Sequence, residues 1–281
     1  LNSAYRRVAQ AFLRPTGQFP RTTFVASRST DEGYSPRGDG SDHPRAWSGQ
    51  DAHLTYLLMP SVCSIDAESA EGILLNYMAV QQPDGLIDMR PGPAGQRTGL
   101  HIPPLLARGV WQIYSQTQNK AWLKRVYPAL IKALEYWFSP ALDHDQDGIP
   151  EWQDDRQMGY PAFPAFAPGQ SWSQGASANM VEGPGLISLL LSEIEHLQLI
   201  SEALGMRKAV SSLLQHQGTL SDALQSMWSN EHFAYRDRDT HLSSTSQNLL
   251  TDAMADQQHF INQELNTPSR IVIRVIGGVN L

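Results

Sequence analysis

A chain of 281 residues can bury a large core as one big domain or two ordinary ones. With 41% hydrophobic and 17% charged residues it has the make-up of a soluble globular protein, and no apolar run reaches the ~18–20 residues of a membrane span. A formal net charge of −7 without a Lys/Arg cluster argues against a nucleic-acid partner, whose phosphates need grouped cations.

In chain order, apolar residues recur at helical spacing over Tyr5 to Leu13, Gln50 to Met59, Ala67 to Val80, Leu105 to Thr117, Ala121 to Phe138, Leu186 to Leu204 and Val210 to Trp228. In the fifth, Trp122, Val126, Leu130, Leu134 and Trp137 draw one apolar stripe down the helix. The sixth starts after Gly183-Pro184 and stops at Gly205, matching a proline near a helix start and a glycine just past its end. Cys63, the one cysteine, excludes an internal disulfide, leaves the compartment open between cytoplasm and periplasm, and reads as a small buried residue. Two Asp-Gly turns, QQPDGLID at Gln81 to Asp88 and DQDGIPE at Asp145 to Glu151, suggest stacked helical hairpins.

After Asn230 the pattern alternates and turns β-branched, through HFAYRDRDTHL to RIVIRV near the end. Residues 1–229 are therefore expected to form helical hairpins, and 230–281 a β-rich insertion or the start of a further element. Asp237 and Asp239 are expected to pair with Arg236 and Arg238 along a strand. The chain begins at Leu1 without a signal peptide and stops soon after a strand-like run, so it reads as a piece of a longer protein.

The richest chemistry lies between Leu142 and Gly159, LDHDQDGIPEWQDDRQMG. Asp143, Asp145, Asp147, Ile149, Glu151 and Asp154 stand at positions one, three, five, seven, nine and twelve of a loop whose sixth residue is glycine. That is the spacing of an EF-hand-type calcium loop, in which the seventh residue lends its carbonyl. The same residues also read as a solvated acidic turn, with Asp at position twelve in place of the usual Glu. Carboxylates beside indoles are also what sugar cleavage needs: acids move protons at the glycosidic bond and aromatic faces hold the pyranose. Asp154 and Asp155, being adjacent, can supply at most one of the two catalytic carboxylates, which an inverting enzyme holds ~6.5–9.5 Å apart. The other is left for calcium or for Arg156. Trp152, Arg156, Gln157 and Tyr160 then become sugar contacts. Trp47, Gln50 and Asp51, at the mouth of the second helix, fit the same role, or alternatively a core tryptophan and a helix cap. His53, His101 and His144 have no zinc spacing, and there is no nucleotide or serine-hydrolase motif.

The order of these pieces resembles the (α/α)6-barrel glycoside hydrolases of the processing α-glucosidase I and amylo-α-1,6-glucosidase group, with trehalases as relatives. The likeness rests on the Trp47/Asp51 helix start, the QxPDGLI turn, IPPLLARGVWQIYSQTQNKAWLKRVYPALIKALEYW and DxDxDGIPEW, within about Ala46 to Gly205. It implies a mainly α toroid of helical hairpins, incomplete in this chain, carrying an inverting α-glucosidase that acts on an oligosaccharide through an acid/base carboxylate pair. Trp47 and Asp51 would line the sugar subsite. The group's general acid sits in a Gly-x-Asp setting, whereas this chain reads Gly159-Tyr160-Pro161 without an Asp, so Asp155 or Asp154 would take that role. The base comes from a late helix, to be supplied with the rest of the barrel by the remaining polypeptide. The alternative is a carbohydrate-binding or structural module that kept the toroid and lost catalysis.

Overall fold

The computed structural model describes residues 11–25, 49–159, 178–206, 211–229, 231–238 and 257–260. Six helices dominate them: α1 (Ala52–Ile65), α2 (Ala67–Ala79), α3 (Leu106–Thr117), α4 (Lys120–Trp137), α5 (Pro184–Leu204) and α6 (Ser211–Ser226).

Local chemistry sets their ends. Asp51 caps α1 by accepting from the Leu54 N–H at 2.9 Å, Asp66 caps α2 through Ser69 at 3.1 Å, and Asn119 caps α4 through Trp122 at 3.1 Å. Pro184 opens α5, and Gly205 closes it in the left-handed region at φ 75°.

The helices form a mainly α fold of hairpins. α1, α3 and α5 pack side by side as an inner row, and α2, α4 and α6 back them from outside. The α4 stripe lies between the rows: Trp122, Val126, Leu130, Leu134 and Trp137 are each at most 4% exposed. Cys63 is buried, as expected. No helix among the described residues is long and apolar enough to cross a membrane.

Phe12–Leu13 departs from the helix expected over Tyr5 to Leu13. It is a short strand, β1, antiparallel to β2 (Thr23–Phe24), with Phe12 opposite Phe24 and the rings meeting edge-on at 5.1 Å. The cross-strand aromatic contact prevails there over the helical period. Residues 1–10 lie outside the described set. Toward the C-terminal side, β3 (Val181–Glu182) pairs with β6 (Arg236–Asp237), and β4 (Trp228–Ser229) with β5 (His232–Phe233). The RIVIRV run lies outside the described residues.

The starts of the inner helices are stitched together by the loops before them. Asp88 folds the Arg90–Gly99 loop back on itself, accepting from the N–H groups of Arg90 (2.9 Å) and Gly99 (2.8 Å) and from the Thr98 hydroxyl (3.0 Å). The same loop meets the start of α1 through Gln50 N–H to Pro91 O at 3.0 Å and Ala52 N–H to Met89 O at 3.1 Å. One end of the helical array thus carries a continuous floor of loop backbone.

Candidate functional site

The acidic turn stands on that floor, directly after α4. Glu151 N–H bonds Leu142 O at 2.7 Å and closes the loop at its base. Gly148 holds φ 89°, and a Cβ there would also press on Thr219 Cγ2 at 3.3 Å, so two constraints select glycine. Asp143 accepts from Gly148 N–H at 3.0 Å and Asp147 from Ile149 N–H at 2.9 Å. Glu151, fully buried, shares a hydrogen bond with the His144 ring Nδ1 at 2.7 Å.

The turn concentrates carboxylates far beyond what its own donors neutralise. Ligand atoms of Asp143, Asp145 and Glu151 lie within 4.8 Å of one another. So do those of Asp145, Asp147 and Glu182, a residue of β3 outside the motif and unnoticed in the sequence. Among the described residues, Asp143 Oδ1, Glu151 Oε1 and Glu182 Oε1 are buried with no hydrogen-bond partner. Burial pushes the Asp143 carboxyl upward, and it pushes Glu151 and Glu182 to about 8, with the neighbouring aspartates adding to each shift. Arg236 brings a single positive charge, donating to Asp147 Oδ2 at 3.2 Å and to Glu182 Oε2. Arg236 thus reaches across to the turn and to β3, while the Asp237 side chain lies outside the described set. Arg238 donates to Asn179 O at 2.9 Å. Asp239 lies outside the described residues.

Beyond the turn, three of the residues expected at the sugar, Trp152, Gln157 and Gln50, are held within the scaffold. Trp152 is 5% exposed and packs edge-on against Trp137 at 5.6 Å and 87°, so its faces are in the core and not open to a pyranose. Gln157 is fully buried. Its Oε1 accepts from Gln153 N–H at 2.8 Å and its Nε2 donates to His101 O at 2.8 Å. Gln50 is also fully buried, accepting from the Thr23 hydroxyl at 2.7 Å and donating to Ile73 O at 2.8 Å. Both amides are consumed by the protein and have no free group for a ligand hydroxyl.

Asp154 makes a two-point pair with Arg156, at 2.7 and 2.9 Å, and caps the 3-10 turn Asp155–Met158. These bonds pull its carboxyl down to about 2, so it stays ionised at neutral pH and is poorly suited to donate a proton. Pairing with Arg156 also takes Asp154 away from the twelfth calcium position. Asp155 is half-buried on the same turn. Asp51 is half-buried where it caps α1. Trp47 and Tyr160 lie outside the described residues.

His53, given no role in the sequence reading, joins the two halves of this rim. As the second residue of α1, it hydrogen-bonds the Gln157 backbone, and burial lowers its pKa despite the pull of Asp51. Gly159, at φ 85°, leaves the room its ring needs: a Cβ there would come within 2.9 Å of His53 Cδ2. The start of α1 and the post-turn acids therefore share one edge of the molecule. Nothing in the sequence signalled His53 beyond its place two residues after Asp51.

Residues 64–256 match the mannosylglycerate hydrolase MGH1-like glycoside hydrolase domain, and the chain belongs to that family. Among solved structures it is similar to an uncharacterized conserved protein from Thermus thermophilus, at TM-score 0.61 and 15% identity over 84% of this chain and 65% of that one. It is also similar to the GH63 mannosylglycerate hydrolase of the same organism in complex with glucose, at TM-score 0.58 and 14% identity over 84% of this chain and 67% of that one. The chain thus spans 65% of the length of the first of these. At such identities the likeness carries the toroid of helical hairpins. No curated protein matches the sequence.

Proposed function

We propose that the chain forms part of an inverting glycosidase that hydrolyses an α-glycosidic bond in a small oligosaccharide or glycoside. The observation that carries this reading is the meeting at His53, which places Asp51 and the segment bearing Asp155 on one rim. Asp155 is the general acid in this reading, because its neighbour Asp154 is held ionised by Arg156. Asp51, Trp47 and Tyr160 contact the sugar, and a carboxylate from the rest of the polypeptide activates water from the opposite face. The rest of the polypeptide also closes the toroid over the free edge of α1, where Leu57 is 67% and Ile65 89% exposed.

The test is hydrolysis of an aryl α-glucoside and of mannosylglycerate, the latter taken from the name of the Thermus enzyme, by the full-length protein. Asp155→Asn should lower kcat by roughly 10²–10⁴, while Asp84→Asn, in an exposed turn, should leave it unchanged. The first-formed sugar should have the opposite anomeric configuration, read by NMR. Sugar binding with no turnover would favour the carbohydrate-binding module, a reading supported by the salt bridge that keeps Asp154 from acting as an acid.

We also propose that the acidic turn holds a calcium ion. The residues fit: Asp143, Asp145, Asp147 and Glu151 bring carboxylates, Ile149 stands where the loop lends a carbonyl, and two buried oxygens, Asp143 Oδ1 and Glu151 Oε1, lack hydrogen-bond partners among the described residues. The ion would supply counter-charge and hold the turn rigid beside the rim. It takes no part in the proton transfers.

A further inference from the structure

We propose that Gln153 and Gln157 are positioning residues for the general acid, a two-amide clamp that fastens the turn bearing Asp155 to the backbone of His101. The inference rests on the reading of Asp155 as the proton donor and adds the residues that hold its carboxyl in place.

A four-residue 3-10 turn such as Asp155–Met158 has too few backbone bonds to fix a side chain to the tolerance of a proton transfer. The precision has to come from the side chains beneath it. Gln157 is fully buried and folds back under the turn. Its Oε1 accepts from the N–H groups of Gln153 at 2.8 Å and Asp154 at 3.1 Å, so it grips the two residues that lead into Asp155. Its Nε2 donates to His101 O at 2.8 Å and to Gln153 Oε1 at 3.2 Å. Gln153 Oε1 completes the circuit by accepting from His101 N–H at 2.7 Å. The two amides thus occupy both backbone groups of His101, as a neighbouring strand would.

His101 is a firm anchor, itself fully buried. Its Nδ1 accepts from Ile87 N–H at 3.2 Å, which leaves the ring proton on Nε2 to be donated to Ala133 O at 3.0 Å. The ring packs against Tyr136 and Trp137, with centroids 4.7 and 5.3 Å away. Ile102 N–H to Ile87 O, at 2.7 Å, ties the next residue to the same segment. The end of α4 and the turn after α2 therefore hold His101, and His101 holds the acid turn through the two glutamines. Because the Gln157 amide is spent on protein groups, its effect on the rate passes through the turn above it.

A general acid matters in proportion to the basicity of the group that leaves. Phenol needs a proton as it departs, and 2,4-dinitrophenolate does not. A displaced acid therefore slows the first and spares the second, whereas a general loosening of the site slows both alike. The experiment is kcat/KM of the full-length protein on the phenyl and 2,4-dinitrophenyl α-glycosides of glucose and mannose. Gln157→Met and Gln153→Met should each lower it roughly 10–100-fold on the phenyl glycoside and leave it within about threefold on the dinitrophenyl one. Gln153→Glu, which keeps the accepting oxygen, should recover most of the loss. Asp155→Asn should show the same leaving-group dependence, more steeply. Equal losses on the two substrates in both glutamine variants, or no losses, with the dependence present in Asp155→Asn, would overturn the clamp and leave Asp155 as the acid. Asp155→Asn without the dependence, or a wild type inactive on every one of these substrates, would overturn both. Should Gln157→Met fail to fold, the pair Gln153→Met and Gln153→Glu decides the matter.

Discussion

Asp154 and Trp152 sit two residues apart and show how closely the scaffold surrounds the proposed reaction. The Arg156 guanidinium fixes the charge of Asp154, and since this pair is largely exposed its loss should cost less than about 1 kcal/mol of stability. Trp152 is different. Its indole fills the core against Trp137, and Trp152→Ala should destabilise the protein by about 3–5 kcal/mol in urea unfolding. A sugar platform would instead lose ligand affinity at unchanged stability, so the two measurements separate the roles. The residue types around the rim were legible in the sequence; which way they face was not. Gln50 and Gln157 look like hydroxyl-binding amides because a buried amide serving backbone and an exposed one serving substrate are the same letter. Asp51 was legible in one of its two readings, as the helix cap.

Among the elements, α3 has an unusual start. Its first residues follow Leu105, which offers no capping side chain, and Glu193 of α5 fills the gap, accepting from Ala107 N–H at 2.7 Å. Burial outweighs these donors and raises the Glu193 carboxyl from 4.5 to about 7, so folding takes up a proton over that interval. Its contribution is fully present below about 4.5 and is lost as pH rises through about 7. His101 works in the opposite sense. Fully buried between Ile87 N–H and Ala133 O, its ring is lowered by burial to about 3, so its contribution is present above 6.5 and is lost as pH falls. Between about 4.5 and 6.5 the two slopes, each roughly 1.4 kcal/mol per pH unit, offset one another. Glu193→Gln should remove one of them, so across that window its unfolding free energy should gain on that of wild type by roughly 1.4 kcal/mol per pH unit. Urea unfolding at a series of pH values measures this. Helical period announced all six helices, because it is written in neighbouring residues. The helix-to-helix cap was invisible, because its two halves are 86 positions apart.

At the level of the whole molecule, the acidic turn, β3 and β6 form one charged knot beside a helical array whose α1 exposes Leu57 and Ile65. A ligand that binds only the folded state adds RT ln(1 + [L]/Kd), about 2.7 kcal/mol at a hundredfold excess over Kd. Millimolar calcium should therefore raise the thermal midpoint by several degrees and a chelator should abolish the gain; an unchanged midpoint would count against the ion. The DxDxDG spacing made the turn legible, and the toroid followed from the family resemblance. Glu182 and Arg236 carried no motif and were brought in by strand register alone.

The floor made by Asp88, Gln50, His101 and Gln157 sits below the rim and holds each loop at its root. Loop tips above it can therefore vary in length and composition without the helices shifting beneath them. A specificity change by exchange of the Arg90–Gly99 tip should leave the foundations intact so long as Asp88 and Gly99 are retained as the splice points.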